Sequence, residues 1–179
     1  MSATHLQKDL QFSPELVALP IALANAVGFV ASGFWGWVAD RLGRRWSMII
    51  PAAIGIFITP LYLFVPDYRV VTAAFIVQGA FLGAIYGQNP SYLAERFPTE
   101  VRATASGFCY HQGAIWGGLV APVMAAVAAT LPTGFAIPML VGTVGAALIF
   151  VVALLIGPET MGKVLVADIT LTTDRTTTA

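Results

Sequence analysis

Between Arg102 and Glu159 the chain carries no Asp, Glu, Lys or Arg. A helix crossing the hydrocarbon core of a bilayer takes about 20 residues, so this run is too long for one span and long enough for two. Leu131-Pro132-Thr133-Gly134 supplies the turn that divides it. Three more uncharged stretches lie upstream, Leu16 to Val38, Trp46 to Pro66 and Val70 to Ala94. The pattern predicts an all-α integral membrane chain with five transmembrane helices, at about 14–38, 46–65, 70–94, 101–130 and 135–157. Residues 1–13 precede this domain and residues 158–179 form a tail that is Thr-rich after Asp168.

Composition agrees and excludes other classes. Charged residues are 10% of the chain, against about 25% in a soluble domain. A net charge of +0 argues against nucleic acid as a partner. The one cysteine, Cys109, has no internal partner, and no metal-ligand spacing or cofactor motif occurs. No nucleophile–base pair or phosphate loop points to an enzyme.

Local signals mark the helix ends. Ser13-Pro14-Glu15 reads as an N-cap, a first-turn proline and an acid at the positive end of the helix dipole. Phe12 is placed to staple against Val17. Small residues recur every fourth position in three spans: Ala24, Gly28, Ser32 and Gly36; Gly79, Gly83 and Gly87; Ala105, Cys109, Gly113, Gly117 and Ala121. Such rows allow close helix approach in lipid. Pro20, Pro51 and Pro60 are expected to bend their helices, and Gln88-Asn89-Pro90 to interrupt the third span.

Asp40-Arg41-Leu42-Gly43-Arg44-Arg45 packs one carboxylate and three arginines between two apolar spans. This is expected to be a tight turn at a membrane surface, with Gly43 free to take a backbone shape other residues resist. Trp35, Trp37 and Trp46 beside it read as interface anchors. The first and third loops carry Arg41, Arg44, Arg45, Arg96 and Arg102, and the second and fourth carry Arg69. The positive-inside rule places the first and third loops and the C-terminus in the cytoplasm. The N-terminal segment is then outside, in a multi-pass protein of the inner (plasma) membrane.

Gly36-x-x-x-Asp40-Arg41-x-Gly43-Arg44-Arg45 resembles the loop signature of the major facilitator superfamily of transporters. Glu95-Arg96-Phe97-Pro98-x-x-x-Arg102 resembles the family's loop after helix ten, and Gly157-Pro158-Glu159-Thr160-Met161-Gly162-Lys163 the Pro-Glu-Thr-Lys-Gly ending after helix twelve, with Met161 in place of Lys. The resemblance runs from about Phe12 to Asp168. It implies a half-bundle corresponding to helices eight to twelve of a twelve-helix transporter, truncated on the N-terminal side. Helix seven and the N-terminal half would be missing partners. The texts around Tyr92–Thr104 and Gly107–Tyr110 resemble bacterial metabolite:proton symporters, with an ending similar to the sialate and lactate group. The implied function is proton-coupled alternating-access transport of a small organic acid. The alternatives are an inactive gene fragment, or a sugar:proton symporter.

Two sets of candidate residues follow. Asp40, Arg44, Arg45, Glu95, Arg102 and Glu159 fall at cytoplasmic helix ends. The resemblance implies that such charges bridge helix ends in one state and part in the other. Arg44 or Arg45 is expected to pair with Glu95, and Arg102 with Glu159. Polar residues at mid-depth form the second set. At 1.5 Å per residue, Asn25 lies roughly 16 Å into its span, Gln78 roughly 12 Å, and His111 roughly 13 Å with Gln112 beside it. Three helices thus place polar groups near one level, where transporters hold substrate. Plain interhelical hydrogen bonding is the alternative. His111 is an intramembrane ionisable group in the range suited to proton coupling.

Overall fold

The structure, a computed structural model, describes residues 2–132 and 134–162. Six helices follow one another: α1 Ser2–Lys8, α2 Pro14–Leu42, α3 Arg44–Phe64, α4 Tyr68–Ala94, α5 Arg102–Thr130 and α6 Ala136–Ile156. No strand occurs among the described residues. Helices α2 to α6 are long and apolar enough to cross a membrane. The expected tail after Asp168 lies outside the described residues.

Helix α2 starts as the sequence implies. Ser13 is the N-cap, and its hydroxyl accepts the Leu16 amide at 3.4 Å. Asp67 caps α4 and accepts the Arg69 and Val70 amides at 2.7 and 3.1 Å. The two caps satisfy amides that the first helical turn leaves without partners.

The expected tight turn lies at Gly43 and is shorter than the charged stretch around it. Asp40, Arg41 and Leu42 complete α2 and Arg44 opens α3, so Gly43 alone is the turn. Its φ of 100° lies where a side chain is strained. Pro90 does not interrupt α4, which runs on to Ala94; Pro20, Pro51, Pro60 and Pro122 also lie inside continuous helices. Neighbouring helices and local adjustment accommodate prolines in such spans. The N-terminal segment contributes α1, which buries Leu6 in an apolar cluster with Val17, Ile58, Leu63 and Met139.

Helices α2 and α4 form the most extensive pairing, α3 packs on α4 and α6, and α5 stands toward one side. The small-residue rows of α2 and α4 are each other's partners. A side chain on Gly79 or Gly83 would collide with the backbone at Ala24 or Gly28, and one on Gly87 would lie 3.1 Å from the Ser32 carbonyl. The α5 row has no such partner among the described residues: Gly113 and Gly117 have nothing within 4 Å of an added Cβ. Among the described residues α5 buries only Ala128.

Candidate functional site

At one end of the bundle the helix termini are tied together by charge. The Arg44 guanidinium bonds Asp40 at 2.8 Å, one turn back, and donates from Nε to Glu95 Oε1 at 3.1 Å. The Arg44 and Glu95 side chains are 19% and 16% exposed, so solvent weakens this pair less than it does most surface pairs. Thr160, buried beyond the end of α6, donates its hydroxyl to Glu95 Oε2 at 2.5 Å. Glu95 therefore joins α3, the end of α4 and the segment after α6.

Glu159 fills a different role from the expected pair with Arg102. Its carboxylate sits at the N-terminus of α3, accepting the Arg44 amide at 2.9 Å and the Arg45 amide at 3.2 Å. It also accepts the amides of Thr160 and Met161 at 2.9 and 3.1 Å. A carboxylate here meets unpaired N–H groups and the positive end of the helix dipole. Burial alone would raise its pKa. The amides of Met161, Thr160, Arg45 and Arg44 outweigh burial and hold the carboxyl below its ordinary value. Gly43 makes room: Glu159 Oε2 lies 2.6 Å from where a Gly43 Cβ would be.

Arg102 instead donates to the Ala94 carbonyl at 3.0 Å and to the Thr99 hydroxyl at 3.2 Å, closing the turn between α4 and α5. Its guanidinium is thus engaged with the C-terminus of α4, while Glu159 is engaged with the N-terminus of α3. Arg45 does not reach Glu95; it donates to the Gly157 carbonyl at 3.0 Å. Tyr92 and Thr160 escaped the sequence reading. Tyr92 donates to the Pro158 carbonyl at 3.1 Å and lies beneath Arg96. Thr160 lay within the quoted ending, where a hydroxyl beside Glu159 was the available signal. Of the expected anchors, Trp37 and Trp46 are exposed, with Arg41 stacked 3.7 Å from the Trp37 ring centre; Trp35 packs inward on Phe81.

Two cavities lie deeper in the bundle. One of about 580 Å³ is lined by Asn25 and Phe29 of α2, Tyr62 of α3 and Gln78 and Tyr86 of α4. The other, about 450 Å³, is bounded by Tyr62, Gln78, Phe81, Met124, Thr143 and Phe150. Gln78 forms part of both. Its Oε1 is buried without a partner among the described residues, so an acceptor is held between two spaces.

The structure brings Asn25 and Gln78 to one cavity but not His111 or Gln112. His111 is exposed on α5 beside Tyr110, at 6.0 Å between ring centres, and Gln112 is half-buried. Neither residue lines these two cavities. Distance along a helix sets depth but not the face that a residue presents, and α5 turns this face away from the bundle.

Comparison with known proteins supplies the broader context. A sequence profile of the Major Facilitator Superfamily matches residues 1–169. The chain is 33% identical over 99 residues to the cis,cis-muconate transport protein of Acinetobacter baylyi, covering 55% of this chain and 23% of that protein. It is 31% identical over 168 residues to a putative metabolite transport protein of Haemophilus influenzae, covering 89% and 39% respectively. The xylose transporter XylE from E. coli, in a partially occluded inward-open conformation, superposes with a TM-score of 0.71 at 22% identity, over 89% of this chain and 45% of that one. The chain spans less than half the length of each of these proteins.

Proposed function

The chain belongs to the Major Facilitator Superfamily, and from that membership we propose that it forms the C-terminal part of a plasma-membrane transporter. The transporter carries a small organic acid together with a proton, opening to the two sides in turn. The observation that carries this reading is the Arg44–Glu95–Thr160 network, which links three helix ends through contacts that can separate without unfolding a helix. The charged end is cytoplasmic, because it holds most of the arginines; α1 is then outside.

In this reading the Arg44–Glu95 ion pair and the Thr160–Glu95 hydrogen bond close the cytoplasmic end. Opening that end releases Glu95 from Arg44 and Thr160, while Glu159 stays seated on α3. Asn25 and Gln78 offer amide donors to the solute from α2 and α4. His111 exchanges the coupled proton on the α5 face that meets the remainder of the transporter. That remainder also supplies the cation for a carboxylate, since none lines either cavity among the described residues. The named cargo of the muconate transport protein is an organic acid anion, which supports the proposed class. Within that class, the chain's ending points to the sialate and lactate group.

A sugar is the second reading. The amides of Asn25 and Gln78, with no cation beside them among the described lining residues, suit hydroxyl groups as well as a carboxylate. Counterflow in vesicles containing the complete transporter separates the two. Exchange of labelled lactate or muconate with no exchange of labelled hexose supports the acid, and the reverse result overturns it.

A further inference from the structure

At the end of the bundle opposite the charged network, His5 is 1% exposed and its ring bridges two elements. Nε2 lies 3.1 Å from the carbonyl of Leu63, in the last turn of α3. Nδ1 lies 2.7 Å from Asp9 Oδ2, and the same oxygen accepts the amide of Phe135, the N-cap of α6, at 2.8 Å. A carbonyl can only accept, so Nε2–H must donate to it. An ionised carboxylate also only accepts, so Nδ1 needs a proton of its own to bond it. Both contacts together therefore require one proton more than a neutral imidazole and an ionised Asp9 possess. That proton resides on the ring or on the carboxyl.

We propose that His5 and Asp9 form a proton-held latch that fastens α1 across the ends of α3 and α6 on the outer face of the membrane. The latch is closed while the two side chains share the extra proton and released when it passes to water. Asp9, with its side chain 21% exposed, is the route by which the proton leaves. Removing it sets a bare Nδ1 lone pair against a carboxylate 2.7 Å away. The ring then turns from one partner, and the Phe135 amide and the buried Leu6 lose the segment that holds them.

The neighbouring elements contain few other groups that titrate or carry charge at this end. They are Glu15 on α2, Tyr62 on α3, Asp67, Tyr68 and Arg69 at the start of α4, and Lys8 on α1; α6 has none. Tyr62 is bonded to Thr59 at 3.5 Å, and Asp67 to two amides of its own helix. Asp9 is the ionisable group in bonding contact with His5. Gly134 is shaped for it, with φ of 57° and Asp9 Oδ1 2.6 Å from where its Cβ would stand. The closed state binds the additional proton, so low pH favours it and rising pH opens it.

Amide hydrogen exchange of the chain in lipid nanodiscs, corrected for intrinsic exchange and compared at about pH 5 and about pH 9, reads the latch directly. The expected result is protection of α1 and the Phe135 amide that is about tenfold to a hundredfold stronger at the lower pH, the size expected of a charge-assisted hydrogen bond. Asp9→Asn can set either an N–H or a carbonyl at the position that meets both His5 Nδ1 and the Phe135 amide, and so serves one of them only; its protection at the lower pH should fall below that of the unsubstituted chain. His5→Phe should leave both regions unprotected at either pH. Equal protection of the unsubstituted chain at both values, or undiminished protection of Asp9→Asn at the lower pH, would overturn the latch. The outer location rests on the orientation proposed above. It is read separately, by labelling Lys8→Cys in a Cys109→Ser background with a membrane-impermeant thiol reagent. Labelling from outside supports it; labelling only from inside overturns the location and leaves the exchange result to judge the latch.

Discussion

Arg44 and Glu95 are 51 residues apart in sequence and 3.1 Å apart in space, Nε donating to Oε1. Their bond crosses from the first turn of α3 to the C-cap of α4. Reversing either charge places like charges together in a half-buried site. Glu95→Arg or Arg44→Glu should lower uptake by the complete transporter about tenfold or more, in line with the loss of one charge-assisted bond. The double reversal should recover part of it. Recovery will be incomplete, since Asp40 lies 2.8 Å from the Arg44 guanidinium and would face the new glutamate. Initial uptake rates of the four proteins, at matched membrane abundance, decide the matter; no recovery in the double variant would remove the pair from the switching mechanism.

Gly43→Ala should destabilise the fold by about 1–3 kcal/mol, because it forces a side chain into left-handed backbone and against the Glu159 carboxylate. Gly33 has nothing within 4 Å of an added Cβ and lies inside α2. Gly33→Ala should be neutral or stabilising by up to about 1 kcal/mol. Thermal unfolding in one detergent compares them. Equal melting temperatures for the two variants would contradict the account of the turn.

The paired rows make a second comparison. Gly83→Val sets a branched side chain against the Gly28 backbone and should cost about 1–3 kcal/mol, as overpacking does. Gly113→Val on α5 meets open space and should have little effect on the stability of this chain. Unfolding of both variants tests whether α2 and α4, rather than α5, form the close pair.

Glu159 gives the fold an acid limit. Its carboxyl is held below the ordinary 4.5 by the four amides, despite burial. The stabilisation is present above that ordinary value and is lost as pH falls through the lowered one. The melting temperature should therefore drop as pH is taken below about 4.5. Glu159→Gln should be less stable at neutral pH and show a flatter acid limb. A variant whose acid limb matches the parent would show that other carboxylates set it.

Gln78 separates stability from transport. Its Oε1 has no partner among the described residues, so Gln78→Leu removes a buried acceptor already lacking its bond. Stability should hold or rise by up to about 1–3 kcal/mol, the ordinary cost of such an acceptor. Transport should weaken chiefly through a higher KM. Unaltered kinetics in the complete transporter would take Gln78 out of the solute path.

The five spans were legible because the bilayer sets their length and composition, and both can be read along the chain. The meeting of Arg44 with Glu95 was legible from the loop signatures. Other features depend on where distant parts of the chain arrive. Nothing near Glu159 in sequence says that it will cap α3, since the helix it serves begins 115 residues earlier. The rows Ala24–Gly36 and Gly79–Gly87 announce close contact but not with whom; packing chose each for the other. His111 lies on a face of α5 that lines neither cavity, because counting along a helix gives depth while facing follows from tertiary rotation. Helix α1, seven residues long, is too short to stand on its own helical preference. It depends on Leu6 and His5 reaching groups far along the chain.

The single-residue joint at Gly43 has a mechanical consequence. Neighbouring Cα atoms are 3.8 Å apart, so the last residue of α2 and the first of α3 stay within about 7.6 Å whatever the rest of the molecule does. The joint bends but has no slack. A tilt of α2 that a long linker would absorb is delivered to the first turn of α3, where Arg44 and Arg45 hold Glu159. Motion on the close-packed α2–α4 side of the bundle is thereby geared to the segment beyond α6.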